Sequence, residues 1–97
     1  MTQYQRGYRF ELETKKLWEA KGYLVVRAAG SHGIADLVAI KNDSGYPSDL
    51  EVCLIQCKLT GKLSLHDRNY LSATARDLSV SAAMAYKEDG KYREEFI

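Results

Sequence analysis

The sequence is poor in the features on which several classes of small protein depend. It has two cysteines and one proline in 97 residues, and no apolar run approaches the ~20 residues that cross a bilayer. The low cysteine count excludes a disulfide-stabilised mini-protein. The N-terminal stretch MTQYQRGYRF has no apolar leader segment, which argues against a secretory signal. We therefore expect an intracellular protein with no membrane partner.

The two cysteines, Cys53 and Cys57, are four residues apart in EVCLIQCKL. On a strand their Cα atoms would be roughly 13 Å apart, which is too far for a disulfide. Two thiols alone are also too few for a zinc site. We interpret both as buried structural thiols.

The sequence also has no large excess of positive or negative charge, because its net charge is only +1. A nucleic-acid partner would therefore have to be bound by local patches. Arg6 and Arg9 lie in an N-terminal stretch without acidic residues, interleaved with Tyr4, Tyr8 and Phe10. Cations mixed with aromatics suit a phosphate backbone, and a solvated terminus accounts for them equally well.

Hydrophobic periodicity and turn residues predict seven elements along the chain. They are a helix over 5–21, strands over 23–29, 34–41 and 50–59, a helix over 64–79, a strand over 81–87 and a weaker strand over 91–97. The turn-rich stretch 42–49 predicts a hairpin between the second and third strands. We expect a single domain over residues 1–97, of the α/β class, with a small mixed central sheet flanked by helices.

Each predicted helix has one apolar stripe. The stripe of the first helix is Phe10, Thr14, Leu17, Trp18 and Lys21, with Glu11 at its rim. The stripe of the second helix is Tyr70, Leu71, Thr74 and Leu78. We expect these residues to form the core. Alternatively, the second helix or the strand after it forms part of a dimer interface. A chain of this size often completes its burial by dimerising.

Asp36 is an acidic residue inside the predicted strand of GSHGIADLVAI. Aspartate is depleted in strands, and burying its charge without a partner costs several kcal/mol. Gln56 and Lys58 share one face of the next strand, and Glu11 belongs to a helix that must pack on this sheet. A salt bridge between Asp36 and Lys58 would explain the pattern. So would a magnesium site for phosphodiester hydrolysis, in which oxygen ligands bind the metal and a lysine orients the water.

The segments RGYRFE, GYLVVRAAGSHGIADLVAI and LIQCK resemble the archaeal-type Holliday junction resolvases, a branch of the PD-(D/E)xK nuclease superfamily. The resemblance covers roughly residues 6–58 and implies a restriction-endonuclease-like fold. It implies that Glu11, Asp36 and Gln56 bind Mg²⁺, with Mn²⁺ able to substitute, and that Lys58 assists catalysis. It further implies a homodimer that nicks opposed strands of a four-way DNA junction, in the cytoplasm of a prokaryotic or phage-infected cell.

Two positions depart from the family pattern. Ala35 replaces a proline, which removes no ligand. Gln56 replaces the usual glutamate, so we expect weaker metal binding, since a carboxamide brings no charge. A nuclease acting on other DNA, a junction-binding module weakened by Gln56, and a protein-binding adaptor with a salt-bridged core remain the alternatives.

Several polar residues are candidate contacts to the DNA backbone. They are Arg6, Arg9, Lys15, Arg27, Ser31, His32, Lys62 and Arg68. The resemblance implies that Ser31 contacts a DNA phosphate. The alternative is that Ser31 only forms a turn among the neighbouring glycines. For His32 we consider the same contact or a general acid for the leaving 3′ oxygen.

Overall fold

The computed structural model describes residues 2–28, 35–60 and 62–97. In these ranges the chain forms two α-helices, one 3-10 turn (Pro47–Asp49) and five strands. The elements are α1 (Gln3–Ala20), β1 (Leu24–Arg27), β2 (Leu37–Lys41), β3 (Glu51–Cys57), α2 (Leu65–Leu78), β4 (Ser81–Glu88) and β5 (Lys91–Phe96). None of the described helices is both long enough and apolar enough to cross a membrane. The predicted order of elements is confirmed.

Helix α1 begins two residues earlier than the periodicity predicts because Thr2 caps it. The Thr2 hydroxyl accepts a hydrogen bond from the Gln5 N–H at 3.1 Å, and the Gln5 side chain accepts one from the Thr2 N–H at 3.0 Å. This reciprocal pair satisfies two backbone donors that a helix start leaves without partners. The helix ends before Gly22, whose φ of +96° suits glycine.

The five strands form one sheet in the order β1-β2-β3-β4-β5. Strands β1, β2 and β3 are an antiparallel meander, so the predicted hairpin between β2 and β3 is confirmed. Strand β4 runs parallel to β3 because α2 carries the chain back across the sheet. Strands β4 and β5 close as a hairpin through Asp89 and Gly90, which both have positive φ as a two-residue turn requires.

The two helices cover opposite faces of the sheet. Phe10 and Trp18 of α1 pack in a cluster with Leu37 and Ile55. Leu71 of α2 belongs to a second cluster, which contains Leu54, Ala75 and Ala82. Neighbouring residues of β3 thus belong to different faces, as the pleat of a strand requires.

Trp18 also fixes α1 to the edge of the sheet through a polar chain. Its indole N–H donates to the Tyr92 hydroxyl at 3.3 Å, and that hydroxyl donates to Glu94 at 2.9 Å. Lys21 donates to the other oxygen of Glu94 at 3.1 Å. These bonds attach the C-terminal end of α1 to β5.

The predicted apolar stripes are wrong at four positions. Leu17 and Lys21 of the first stripe and Tyr70 and Leu78 of the second are exposed, whereas Ala75 of α2 is buried. The reason for the difference in α2 is that this helix packs mainly on β4, so only its Leu71–Ala75 line meets the sheet. On this helix Tyr70 and Leu78 are 58% and 61% exposed.

Truncation of Leu71 tests this packing. Leu71 is fully buried, so we expect Leu71→Ala to lower the free energy of unfolding by about 3 kcal/mol, the usual cost of a core cavity. Leu65→Ala, on the same helix but 72% exposed, should change it by less than about 0.5 kcal/mol. Urea denaturation of the two variants measures both values, and equal losses would contradict the assigned face.

Candidate active site

Asp36 lies at a bend immediately before β2, and not within a strand as the sequence predicted. Its backbone N–H donates to the Ile55 carbonyl and its carbonyl accepts from the Ala28 N–H, both at 2.9 Å. These bonds fix the residue between the end of β1 and β3. Only 6% of the residue is exposed, so the carboxylate is buried.

The partner of the Asp36 carboxylate is backbone. Its Oδ2 accepts a hydrogen bond from the Cys57 N–H at 2.9 Å. No ion pair within 4.0 Å joins it to Lys58 in the described ranges, so the predicted salt bridge is not formed. Burial raises the pKa of Asp36, and the Cys57 N–H and the charges of Lys58 and Arg27 oppose that rise. Asp36 is thus a buried acid held by a strand and facing two cations.

Glu11 comes to the same place from α1, half-buried at the rim of the helix as predicted. Its Oε1 accepts a hydrogen bond from Arg27 Nε at 2.9 Å, and Arg27 Cζ lies 4.5 Å from the centre of the Tyr8 ring. Burial raises the pKa of Glu11, the Arg27 bond lowers it, and the Asp36 charge raises it further. The two carboxylates are therefore close enough to repel each other.

Lys58 follows the end of β3, where its backbone N–H donates to the Ala85 carbonyl at 2.8 Å. Its charge acts on Asp36, so the structure brings Glu11, Asp36 and Lys58 together. Gln56 is half-buried on β3 opposite Met84 of β4. Within the described ranges its side chain makes no hydrogen bond to the other three residues. Three of the four residues predicted to be catalytic therefore lie in one cluster, and their catalytic role stays a prediction.

The two cysteines are free thiols in the structure. Burial raises the pKa of Cys57 to about 12, with a smaller contribution in the same direction from the charges of Asp36 and Glu11, so this thiol stays protonated. A protonated thiol is not a metal ligand. The role of Cys57 in the site is therefore its backbone N–H, which holds Asp36.

The oxygen ligands of the site fit a hard divalent cation. In the part of the chain that the structure describes, no three or more His, Cys, Asp or Glu side chains are grouped as a metal site. Glu11 and Asp36 nevertheless supply two neighbouring carboxylates, and Mg²⁺ in enzymes takes one or two while keeping several waters. These two carboxylates are of the oxygen type, and of the number, that such an ion takes from a protein.

The predicted DNA contacts separate into three groups. Arg6 and Arg9 line a cleft of about 300 Å³ with Lys87, beyond the end of β3. Arg27 lies in the catalytic cluster itself, paired with Glu11. The remainder do not join this cluster: Lys15 pairs with Glu19, Arg68 pairs with Glu95 of β5, Lys62 is exposed, and Ser31 and His32 lie outside the described residues.

Sequence reasoning missed two features of this region. Lys87 reaches the cleft from β4, where it bonds to Glu13 of α1 at 3.2 Å across 74 positions of sequence. Tyr8 lies under Arg27, which the arginine–aromatic composition of the N terminus indicated only in general terms. Both features depend on contacts between distant segments, and neither has a local sequence signal.

Comparison with known proteins adds independent findings. The profile of the archaeal Holliday junction resolvase (Hjc) family matches residues 2–91. The crossover junction endodeoxyribonuclease Hjc of Methanocaldococcus jannaschii is 36% identical over 63 residues, which are 65% of this chain and 41% of that protein. The structure of Archaeoglobus fulgidus Hjc, a Holliday junction resolvase, superimposes with a TM-score of 0.68 at 24% identity, over 92% of this chain and 70% of that one. The alignment therefore spans less than half of the curated relative, and the structural match concerns the fold.

Proposed function

Because the chain belongs to the archaeal Holliday junction resolvase family, we propose that it is a structure-specific DNA endonuclease that resolves four-way junctions. The observation that carries the proposal is the convergence of Glu11, Asp36 and Lys58 at the end of β3. We further propose that Mg²⁺ is the cofactor, with Mn²⁺ as a substitute. Residues 1–97 would then be one nuclease domain that acts in the cytoplasm.

Asp36 and Glu11 would hold the divalent cation, with Gln56 as a weaker neutral ligand. Held there, such a cation would supply positive charge beside the scissile phosphate and would lower the pKa of a neighbouring water. The Lys58 ammonium orients the attacking water and stabilises charge that develops on the phosphate. A bond forms from the water oxygen to phosphorus and the bond to the 3′ oxygen breaks, which leaves a 5′-phosphate and a 3′-hydroxyl. The cations of the cleft, Arg6 and Arg9, hold the flanking backbone.

Paired cuts in opposed strands require two sites, and an open apolar surface supports a homodimer. Leu24 and Val26 of β1 are 65% and 52% exposed on the face opposite α1. The register continues from them across β2 and β3 as two apolar rows. The rows are Leu24, Ile40 and Val52, and Val26, Val38 and Leu54. Of these residues, Leu54 lies in the core under α2 and Val38 is partly buried against it, which leaves the other four toward β1 and the far ends of the strands.

The exposed side of α2 extends this surface. Arg68 bonds to Glu95 of β5, so its side of the helix is directed toward that edge of the sheet. At about 100° per residue, Tyr70 lies roughly 160° around the helix from Arg68, and Leu78 lies roughly 80° from Arg68 in the same sense, so both turn away from the β5 edge. Tyr70 and Leu78 are 58% and 61% exposed, so with Leu24 and Val26 they add exposed apolar side chains of the kind that mark an interaction surface. A two-fold axis through it would bury the same surface on both copies.

A charge placed in this surface tests the dimer. We expect Val26→Lys to convert the protein to a monomer, because pairing would bury two unpartnered ammonium groups at the axis. Leu17→Lys, on the outer side of α1, is the matched control and should leave the dimer intact. Sedimentation velocity over a concentration series gives the assembly state. A wild-type protein that stays monomeric at high concentration, or a dimer that tolerates Val26→Lys, would contradict this surface.

The function itself is tested by cleavage of a synthetic four-way junction and a matched linear duplex, each with Mg²⁺ and with EDTA. We expect paired nicks in the junction only, and only with the metal. Equal cutting of the duplex would favour a nuclease of other specificity. Tight junction binding without cleavage would favour a binding module. The absence of both binding and cleavage would favour a protein-binding adaptor.

A further inference from the structure

The ion pair between Arg27 and Glu11 occupies a carboxylate to which the proposed function gives another role. We infer that Arg27 is the resident counter-ion of Glu11, that a divalent cation displaces it, and that the released guanidinium then binds a DNA phosphate. This inference rests on the proposed function, since it takes Glu11 as a ligand of the cation. It makes Arg27 a positioning residue whose DNA contact depends on the metal.

The geometry of Arg27 suits a movable partner. It reaches Glu11 through its Nε–H, at 2.9 Å, and the two side chains are 26% and 18% exposed. Its guanidinium also lies over the Tyr8 ring, with 4.5 Å between Cζ and the ring centre. An aromatic face attracts a guanidinium without fixing its direction, because the attraction is to the ring as a whole. Tyr8 therefore gives Arg27 a support that remains when the bond to Glu11 is broken.

The charges of the site give the reason for the exchange. Without a metal, two carboxylates, Glu11 and Asp36, face two cations, Arg27 and Lys58, so the formal charges balance. A divalent cation adds two positive charges to this balanced set. The guanidinium does not lose its proton at accessible pH, so it relieves the repulsion only by moving. The nearest new anion in the working complex is a phosphate of the DNA, which a guanidinium binds well.

Another arginine–glutamate pair on the same molecule provides a matched control. Arg68 of α2 bonds to Glu95 of β5, and neither residue belongs to the catalytic cluster. The same cation at the same concentration should therefore leave this pair unchanged. Any general effect of ionic strength on surface ion pairs would appear at both arginines.

The experiment is ¹⁵N NMR of the arginine side chains in the DNA-free protein during titration with Mg²⁺. The Nε–H signal of Arg27 is assigned by its loss in Arg27→Lys, and that of Arg68 by its loss in Arg68→Lys. We expect Mg²⁺ to shift the Arg27 signal and to speed its exchange with solvent, while the Arg68 signal stays in place. In Glu11→Gln the Arg27 signal should start near its metal-bound position and no longer respond.

The backbone amide of Cys57 reports the metal separately, because it donates to Asp36. If the Cys57 amide responds to Mg²⁺ and Arg27 does not, the exchange is refuted and the metal site stands. If neither signal responds, the proposed metal-dependent function fails, and the inference with it.

A binding measurement tests the second half of the exchange. With Ca²⁺ in place of Mg²⁺ to suppress cleavage, the cation should strengthen wild-type junction binding by about 5-fold or more, a usual size for coupled binding. In Arg27→Gln the gain should fall below about 2-fold. An undiminished gain in the variant would show that Arg27 does not link the metal to the DNA.

Discussion

Asp36→Asn is expected to reduce junction cleavage by about 10³-fold or more, a loss of roughly 4 kcal/mol in transition-state stabilisation. The variant removes the most buried carboxylate of the site while keeping an oxygen that accepts from the Cys57 N–H. Junction affinity in EDTA should stay within about 2-fold of wild type, because the cationic cleft is untouched. Single-turnover cleavage and a binding titration measure the two quantities. Asp43→Asn, an exposed acid in the β2–β3 loop, is the control.

The same variant should be more stable than the wild type without metal. The fold raises the pKa of Asp36 because burial disfavours the carboxylate. The contribution of this group to stability is therefore present at acid pH and lost as pH rises through the raised pKa. Asparagine carries no charge and avoids that loss. We expect a higher free energy of unfolding for Asp36→Asn at neutral pH in EDTA, and a difference that shrinks toward pH 4.

A result of reduced cleavage with reduced stability would identify Asp36 as a structural residue whose loss disturbs the fold. Reduced cleavage with increased stability identifies it as an active-site acid, because catalytic sites commonly retain groups that the fold would be more stable without. The two measurements on one variant thus separate the two roles.

Gln56→Glu is expected to lower the Mg²⁺ concentration for half-maximal cleavage by about 10-fold, which corresponds to ~1.4 kcal/mol. The physical reason is that a carboxylate adds charge to an oxygen ligand that the amide already provides. Gln56→Ala, which removes the oxygen, should shift the requirement in the opposite direction. Cleavage rates over a Mg²⁺ series measure all three proteins.

The size of the gain from Gln56→Glu also distinguishes two functions. An active nuclease should keep a similar maximal rate and need less metal. A binding module weakened by Gln56 should gain cleavage that the wild type lacks at any metal concentration. An unchanged metal requirement in both Gln56 variants would place this residue outside the cation site, in agreement with the absence, among the described residues, of a hydrogen bond from its side chain to Glu11 or Asp36.

Most of the fold could be predicted because its signals are local. The Asp89-Gly90 pair predicts a two-residue turn, and the helix period places Phe10, Thr14 and Trp18 on one buried line. The catalytic cluster could be approached in the same way, since strand alternation and helix rim positions depend only on spacing. Spacing alone placed Asp36 inside a strand, whereas backbone bonds to Ala28 and Ile55 hold it at a bend.

What the sequence did not predict depends on which surfaces meet. An apolar helix line indicates burial but not the partner, so Tyr70 and Leu78 were expected in the core and are exposed. Likewise, a buried aspartate indicates a partner but not its kind, and the partner is the backbone of Cys57 in place of the Lys58 side chain. The pairing of Arg27 with Glu11 required the relative position of α1 and β1, which no local pattern contains.

The parallel pairing of β3 with β4 has a consequence for how the chain folds. Every residue of the proposed catalytic cluster lies in the first 58 positions, within α1 and an antiparallel meander whose contacts are close in sequence. The β3–β4 contact instead waits for α2 to cross the sheet, and contacts between distant segments form slowly. Until then β3 presents an unpaired edge, where intermolecular strand pairing begins. Conditions that delay the closing of the C-terminal hairpin should therefore cause aggregation before they disturb the residues that perform the chemistry.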